Sequence, residues 1–329
     1  MKSPALAIAL APRPVQRPWG GRSLAPRFGW SGLPDAASAP APALGAGPAI
    51  GAGPAIGEWW LASCHPAAIT SLRDSELTLP AWLAGPGAAA GLPSAADFPL
   101  LLKFLDCEEV LSVQVHPDDA VAAAQGLPNG KTEAWHVLAA APDAAVWLGT
   151  APGVSCADLL DAVAAGASDE RMCALLRRVP VRAGDTLHVA AGTVHAIGPG
   201  LQLFEVQQSS DTTWRIHDWG RGRPVHLAQA RQAALDLGPE EPRRHALVAG
   251  EWTTLIASPA FGLRRTLVAG RADYEPAGAF GLLTALSGSG ELRSGGSTHA
   301  IRAGDTLLVC GAASLIGHDL QLLAVDGPR

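Results

Sequence analysis

The sequence predicts a mainly β protein built from two related units, with one small helical insertion in the first. Three observations carry that prediction. Short apolar runs bounded by Gly, Asp and Pro recur along most of the 329 residues, the pattern of a sandwich or barrel. The segment VRAGDTLHVAAGTVHAIG (181–198) returns as IRAGDTLLVCGAASLIGH (301–318), with RAGDTL identical and displaced by 120 residues, as two copies of one β-unit would be. Helical spacing of apolar residues is confined to two adjoining stretches.

In chain order, the opening MKSPALAIALAP is apolar but too short for a signal peptide. It runs through Pro12 and Pro14 into RPWGG (17–21), so a first strand is expected. Residues 32–57 form a tract of Pro, Gly and Ala in which GAGPAI occurs twice in tandem, an inserted surface excursion with no catalytic duty. A short linker follows at 84–97. From 98 to 116 a strand (FPLLLKFL), a turn around Asp106–Glu109 and a second strand (VLSVQVH) are expected. CADLLDAVAAG (156–166) reads as a helix capped by Ser155. SDERMCALLRRV (168–179) reads as another, opening on a cap and two acids and closing on arginines, which suits the helix dipole. The helical insertion is thus 155–179. The division expected is a functional unit at 1–245 and a second, degenerate unit at 246–329.

Hydrophobic residues make up 48% and charged residues 16% of the chain, which places it among globular proteins. A net charge of −6 speaks against a nucleic-acid binder or a basic membrane-surface protein. No apolar stretch approaches the roughly 20 residues of a spanning helix. The five cysteines are odd in number and show no CxxC spacing, so neither a disulfide framework nor a thiolate zinc site is expected, and a cytoplasmic setting suits them. Lysine occurs only at positions 2, 103 and 131. The two interior lysines stand out, because an ammonium in an apolar strand such as FPLLLKFL is costly without a pocket or a carboxylate.

The candidate site lies in the first unit. Gln114 and His116 alternate along a strand and therefore share a face. Glu133 and His195 can complete a cluster of two imidazoles, a carboxylate and an amide, a donor set that suits zinc or a similar divalent ion with a position left for substrate. In the second repeat Leu315 stands where His195 stands in the first, and Leu308 where His188 stands, so that unit is expected to be a scaffold without metal. His136, His188 and His217 have no motif support as ligands and read as structural or as neighbours that orient the ligands.

The spacing from Gly184 to His195 resembles the second motif of the cupin double-stranded β-helix, or jelly roll, with Ala190 where proline is usual. Gln114, His116 and Glu133 resemble the first motif, with glutamine in place of its first histidine. The segments RPWGG, GEWW (57–60), FPLLLKFLD (98–106), SVQVHPDD (112–119), KTEAW (131–135), GTVHAIG (192–198) and EVQQSSDTTWRIHDWGR (205–221) together resemble the type I mannose-6-phosphate isomerases, in particular their short bacterial branch. The fold that this resemblance implies is two cupin-like units.

The resemblance further implies an aldose–ketose isomerase that interconverts mannose 6-phosphate and fructose 6-phosphate through a cis-enediol. It implies one Zn2+ per chain on His116, Glu133, His195 and Gln114. Ser112, Lys103, Lys131 and Arg215 are the expected substrate-binding residues, for a sugar phosphate. Arg215 resembles the family's assigned active-site residue; its guanidinium stays protonated, so it is expected to stabilise the enediolate or the phosphate, and the candidates for proton transfer are Lys131, Glu205, Asp211 and a metal-bound water. Arg215 could equally form a structural ion pair with Asp211 or Asp218. A monomer or homodimer is expected. Two other classes compete: a sugar-binding or sensing cupin without turnover, and another metal-dependent cupin enzyme, such as an oxygenase or a different sugar-phosphate isomerase.

Overall fold

The computed structural model describes residues 5–30 and 55–328. All but the last three residues of the 32–57 tract lie outside it. Three antiparallel sheets form the body of the protein. A six-stranded sheet has the order Thr186–Val189, Glu133–Ala140, Leu201–Gln208, Leu100–Cys107, Arg13–Gly21, Ile56–Ala62. A five-stranded sheet has the order Trp214–His217, Val113–Val115, His195–Ile197, Ala145–Thr150, Leu176–Pro180. The third sheet is built mainly from Thr253–Ala257, Gly262–Tyr274, Gly281–Ser294, Ser297–Arg302, Thr306–Cys310 and Ala313–Asp326.

The strand Leu100–Cys107 shows why the chain layers in this way. Every residue in it is buried, because both faces of the six-stranded sheet are covered. Leu100, Leu102 and Phe104 point to one side and pack with Phe261, Leu282 and Leu323 of the third sheet. Leu105 points to the other and packs, with Trp135 and Leu203, against Val146, Leu148 and Ile197 of the five-stranded sheet. The outer face of that sheet (Val113, Val115, Trp214 and Ile216) is covered by helices through Leu159, Leu160, Met172 and Ala230. The candidate site therefore lies between the six- and five-stranded sheets.

The sequence repeat is a repeated turn. Gly184 and Gly304 both have φ of +89°, a left-handed conformation that favours glycine. In each copy the aspartate after that glycine accepts the backbone N–H three residues back, Arg182 to Asp185 and Arg302 to Asp305, both at 2.9 Å. In the second unit Leu315 lies in the apolar core with Val268, Leu292 and Leu322.

The expected amino-terminal strand is present as Leu6–Ala11, paired on one edge with Thr306–Cys310 of the third sheet and on the other with Ser71–Leu72. Several expectations need correction. The second predicted helix is shorter than 168–179: it spans Asp169–Leu175 behind the Ser168 cap, and Leu176–Pro180 continues as a strand paired with Ala145–Thr150. The β-branched Val179 and the following proline favour that edge strand. The first helix is Cys156–Ala164, closed by a capping box between Ser155 and Asp158. The expected linker 84–97 begins inside a π-helical turn, Leu83–Gly87, whose Leu83 joins the core. Helices also occur outside 155–179, at Asp119–Ala124 and Leu227–Ala233 among others. Among the described residues no helix is long and apolar enough to cross a membrane.

Candidate active site and metal centre

Two facing sheets deliver the site. In the five-stranded sheet Gln114 stands directly opposite His195 on one side and Arg215 on the other, so the three side chains share the inner face. In the six-stranded sheet Glu133 stands opposite Gln207, and Trp135 opposite Glu205, which stands opposite Lys103. His116 follows the strand Val113–Val115, and its carbonyl accepts the Gly192 N–H at 2.8 Å, which ties the two histidine segments together.

The loop from 117 to 131 is pinned at both ends. Asp118 caps the helix Asp119–Ala124 by accepting the Val121 N–H at 2.8 Å. Pro117 accepts the Lys131 N–H at 2.9 Å, and Asp119 accepts the Gly130 N–H at 2.8 Å. A Cβ at Gly130 would lie 2.6 Å from the Asp118 carbonyl carbon, so only glycine lets the loop close. Lys131 and Glu133 are thereby set beside His116.

The His116, Glu133 and His195 ligand atoms all lie within 4.8 Å of one another, and each residue is buried. The His116 Nδ1–H donates to the Thr212 carbonyl (2.8 Å) and the His195 Nδ1–H to the Thr193 carbonyl (2.9 Å). Each ring thus turns an unprotonated Nε2 inward, the tautomer that a metal requires. Nε2 of His116 is 3.4 Å and Nε2 of His195 is 3.7 Å from the Glu133 carboxylate. Burial, then the neighbouring Lys131, hold His116 neutral, with its pKa pushed down to about 3; burial also lowers that of His195. Glu133 stays ionised despite burial, because Lys131 and His116 hold its pKa well below the usual range. Lys131 Nζ is 2.8 Å from Glu133 Oε1. A buried carboxylate whose one partner is the Lys131 ammonium on Oε1, facing two lone-pair nitrogens, fits a divalent cation.

Around this group the other expected residues divide. Ser112 donates to Gln114 Oε1 at 3.3 Å, and the Gln114 amide nitrogen is 3.2 Å from His195 Nε2 and 3.5 Å from His116 Nε2. Lys131 reaches His116 Nε2 at 3.3 Å. Lys103 is buried against Gln207 Oε1 (2.9 Å) and Glu205 Oε2 (3.3 Å). Burial and the charge on Glu133 raise the Glu205 pKa, and Trp135 donates to its Oε1 at 3.0 Å. Asp211 is half-buried at the edge of this group, near enough to raise the pKa values of Arg17 and Lys103. Arg215 donates to the Pro224 carbonyl at 2.7 Å and lies 3.8 Å from Asp218, so its ion pair is with Asp218.

Of the remaining histidines, His136 bonds Thr186 on the face of its sheet turned towards the third sheet, and His217 pairs with Asp169. His188 is half-buried and lies outside the cluster. Sequence reasoning missed Arg17, Glu58 and Gln207, which form ion pairs or hydrogen bonds around Lys103. The usable signal was the acid in GEWW, a carboxylate inside an otherwise apolar strand.

Two histidines and a carboxylate gathered between facing antiparallel sheets define a cupin-like protein with a cluster able to hold a metal ion. Residues 27–144 match the family described as phosphomannose isomerase type I, catalytic domain. The chain is 32% identical over 302 residues to the mannose-6-phosphate isomerase of Streptococcus mutans, covering 88% of each chain. It also superposes on the crystal structure of the mannose 6-phosphate isomerase from Bacillus subtilis, with a TM-score of 0.76 at 26% identity, over 97% of this chain and 99% of that one. A mannose 6-phosphate isomerase structure bound with zinc and yttrium shares the fold, with a TM-score of 0.69 at 15% identity over 98% and 100% of the chains. The chain belongs to the type I mannose-6-phosphate isomerase family, and is an enzyme of that family.

Proposed function

We propose that the protein interconverts mannose 6-phosphate and fructose 6-phosphate through a cis-enediol. In this reading one Zn2+ per chain is held by His116, Glu133, His195 and the amide oxygen of Gln114. The observation that carries the proposal is the buried Glu133 carboxylate, ion-paired to Lys131 through one oxygen and aimed at two imidazole nitrogens. A bound zinc ion would act as a Lewis acid towards sugar oxygens.

The chain's own residues supply the rest. Isomerisation moves a proton between C1 and C2, so a side chain must take it from one carbon and return it to the other. Lys131, Glu205 and Asp211 border the cluster and are the groups suited to that exchange. Arg215 shares the inner face with Gln114 and His195 and remains cationic, so it stabilises the enediolate or the phosphate rather than removing a proton. Ser112 and Lys103, with Lys131 and Arg215, complete the substrate wall for an anionic sugar. The protein works as a monomer or homodimer.

A coupled assay for fructose 6-phosphate, run with and without chelator and followed by metal analysis, tests the reading. Turnover that disappears with the chelator and returns with zinc is expected. Sugar-phosphate binding without turnover in zinc-loaded protein would leave a sensing role instead.

A further inference from the structure

The six-stranded sheet carries a second line of buried charge into the cleft. Trp60, Lys103, Glu205 and Trp135 stand directly opposite one another on four adjacent strands, so their side chains share one face. Glu58 precedes Trp60 by two residues and shares that face. Its carboxylate takes two hydrogen bonds from Arg17 (2.8 and 3.1 Å) and one from the Trp60 indole N–H (2.6 Å). The Lys103 ammonium lies 3.8 Å from Glu58 Oε2, 3.3 Å from Glu205 Oε2 and 5.0 Å from the centre of the Trp60 ring. Two cations and two carboxylates thus meet in one quartet, with Lys103, Glu58 and Glu205 buried and Arg17 half-buried, and a single indole touches both Glu58 and Lys103.

Lysine is a compact charge on a flexible stem, so its position is set by what surrounds it. Here Gln207, Glu205 and Glu58 surround it, all from the sheet wall. Without the charge on Glu58 the ammonium would have Glu205 as its one carboxylate neighbour in the quartet and would close on it. We propose that Glu58 is a positioning residue for the isomerisation: anchored by Arg17 and Trp60, it holds the Lys103 ammonium between two carboxylates and so keeps Glu205 available to the substrate. This rests on the isomerase reading above. A fixed ammonium acts on charge that develops during reaction, so the effect falls on kcat more than on KM.

The test uses the full-length, zinc-loaded protein. Glu58→Gln keeps the shape and an acceptor for Trp60 and Arg17 but removes the charge. It should lower kcat by about tenfold or more while KM stays within about threefold and zinc content is unchanged. Glu58→Asp, which restores an anion, should recover part of the loss. Combined with Lys103→Met, Glu58→Gln should cost nothing further, because both act through one ammonium. A folded, zinc-replete Glu58→Gln protein with wild-type kcat overturns the proposal, as does a loss that multiplies with that of Lys103→Met. Should Glu58→Gln fail to fold, Arg17→Met combined with Trp60→Phe removes all three hydrogen bonds that anchor the carboxylate and should lower kcat in the same sense; wild-type kcat in that double variant overturns the proposal equally. A wild-type protein that holds zinc yet does not isomerise removes the isomerase reading, and this proposal with it.

Discussion

Gln114 stands directly opposite His195 in the five-stranded sheet, with its amide nitrogen 3.2 Å from His195 Nε2. With both histidines donating through Nδ1, each Nε2 offers a lone pair to the amide N–H that faces them. Turning the amide through half a rotation would present its oxygen to the same point. Gln114→Leu is therefore expected to fold normally and to weaken zinc binding by roughly 10- to 100-fold, short of the loss in His116→Ala. Competition titration with a chelator of known affinity measures both. Unchanged affinity in Gln114→Leu would take Gln114 out of the ligand set.

Removing the metal should cost stability as well as activity. The ligand atoms of His116, Glu133 and His195 come together only in the folded chain, so a bound cation stabilises that state selectively. At about 1,000-fold excess over Kd, zinc should add about 4 kcal/mol. Thermal melts with and without chelator should differ by several degrees, and the difference should vanish in Glu133→Ala.

Arg215 tests the electrostatic part of the mechanism. Its guanidinium lies on the face shared with Gln114 and is half-buried, and burial and the nearby Arg223 disfavour its charge. Lysine in its place keeps a cation but loses the planar fork. Arg215→Lys should lower kcat by about 100-fold while zinc stays bound at wild-type stoichiometry. Near-normal turnover would exclude Arg215 from the reaction.

Acid should unfold the protein partly through His136. Burial, then the adjacent Arg265, push its pKa down to about 3 from an ordinary 6.5. Between those values the unfolded chain binds a proton that the folded chain refuses, so ν_U exceeds ν_N and stability rises with pH. The contribution is fully present above about pH 6.5 and is lost progressively as the pH falls towards 3, by up to about 1.4 kcal/mol per unit. Urea midpoints of zinc-loaded protein at pH 7 and pH 5 should show the loss. His136→Gln, which can still meet Thr186 and Arg265, should show a smaller one. Equal pH dependence in the two proteins would contradict this account.

What was legible in the residues followed from local spacing. The Gln114–His116 alternation needs only a strand, the repeat needs only its identical turn, and the Ser155 and Ser168 caps mark helix starts that the structure keeps. The misreadings came where neighbours outvoted local preference. Arginines at 177 and 178 read as the end of a helix, but pairing with Ala145–Thr150 draws them into a strand. Ala-rich residues 119–124 carry no periodic apolar face, and their helix is set by the Asp118 cap. The strand Leu6–Ala11 carries nothing that names its partner 300 residues away.

By itself the sequence determined the donor types, the repeat whose second copy carries leucine in place of each histidine, and the family to which the motifs point. The tertiary structure alone decided which groups meet. Cross-strand register set Gln114 between His195 and Arg215, and burial on both faces of one sheet locked Arg17, Glu58, Lys103 and Glu205 into a balanced quartet. Register and burial are properties of chains brought together from far apart, and a charge in a strand acquires its meaning only from the strands beside it.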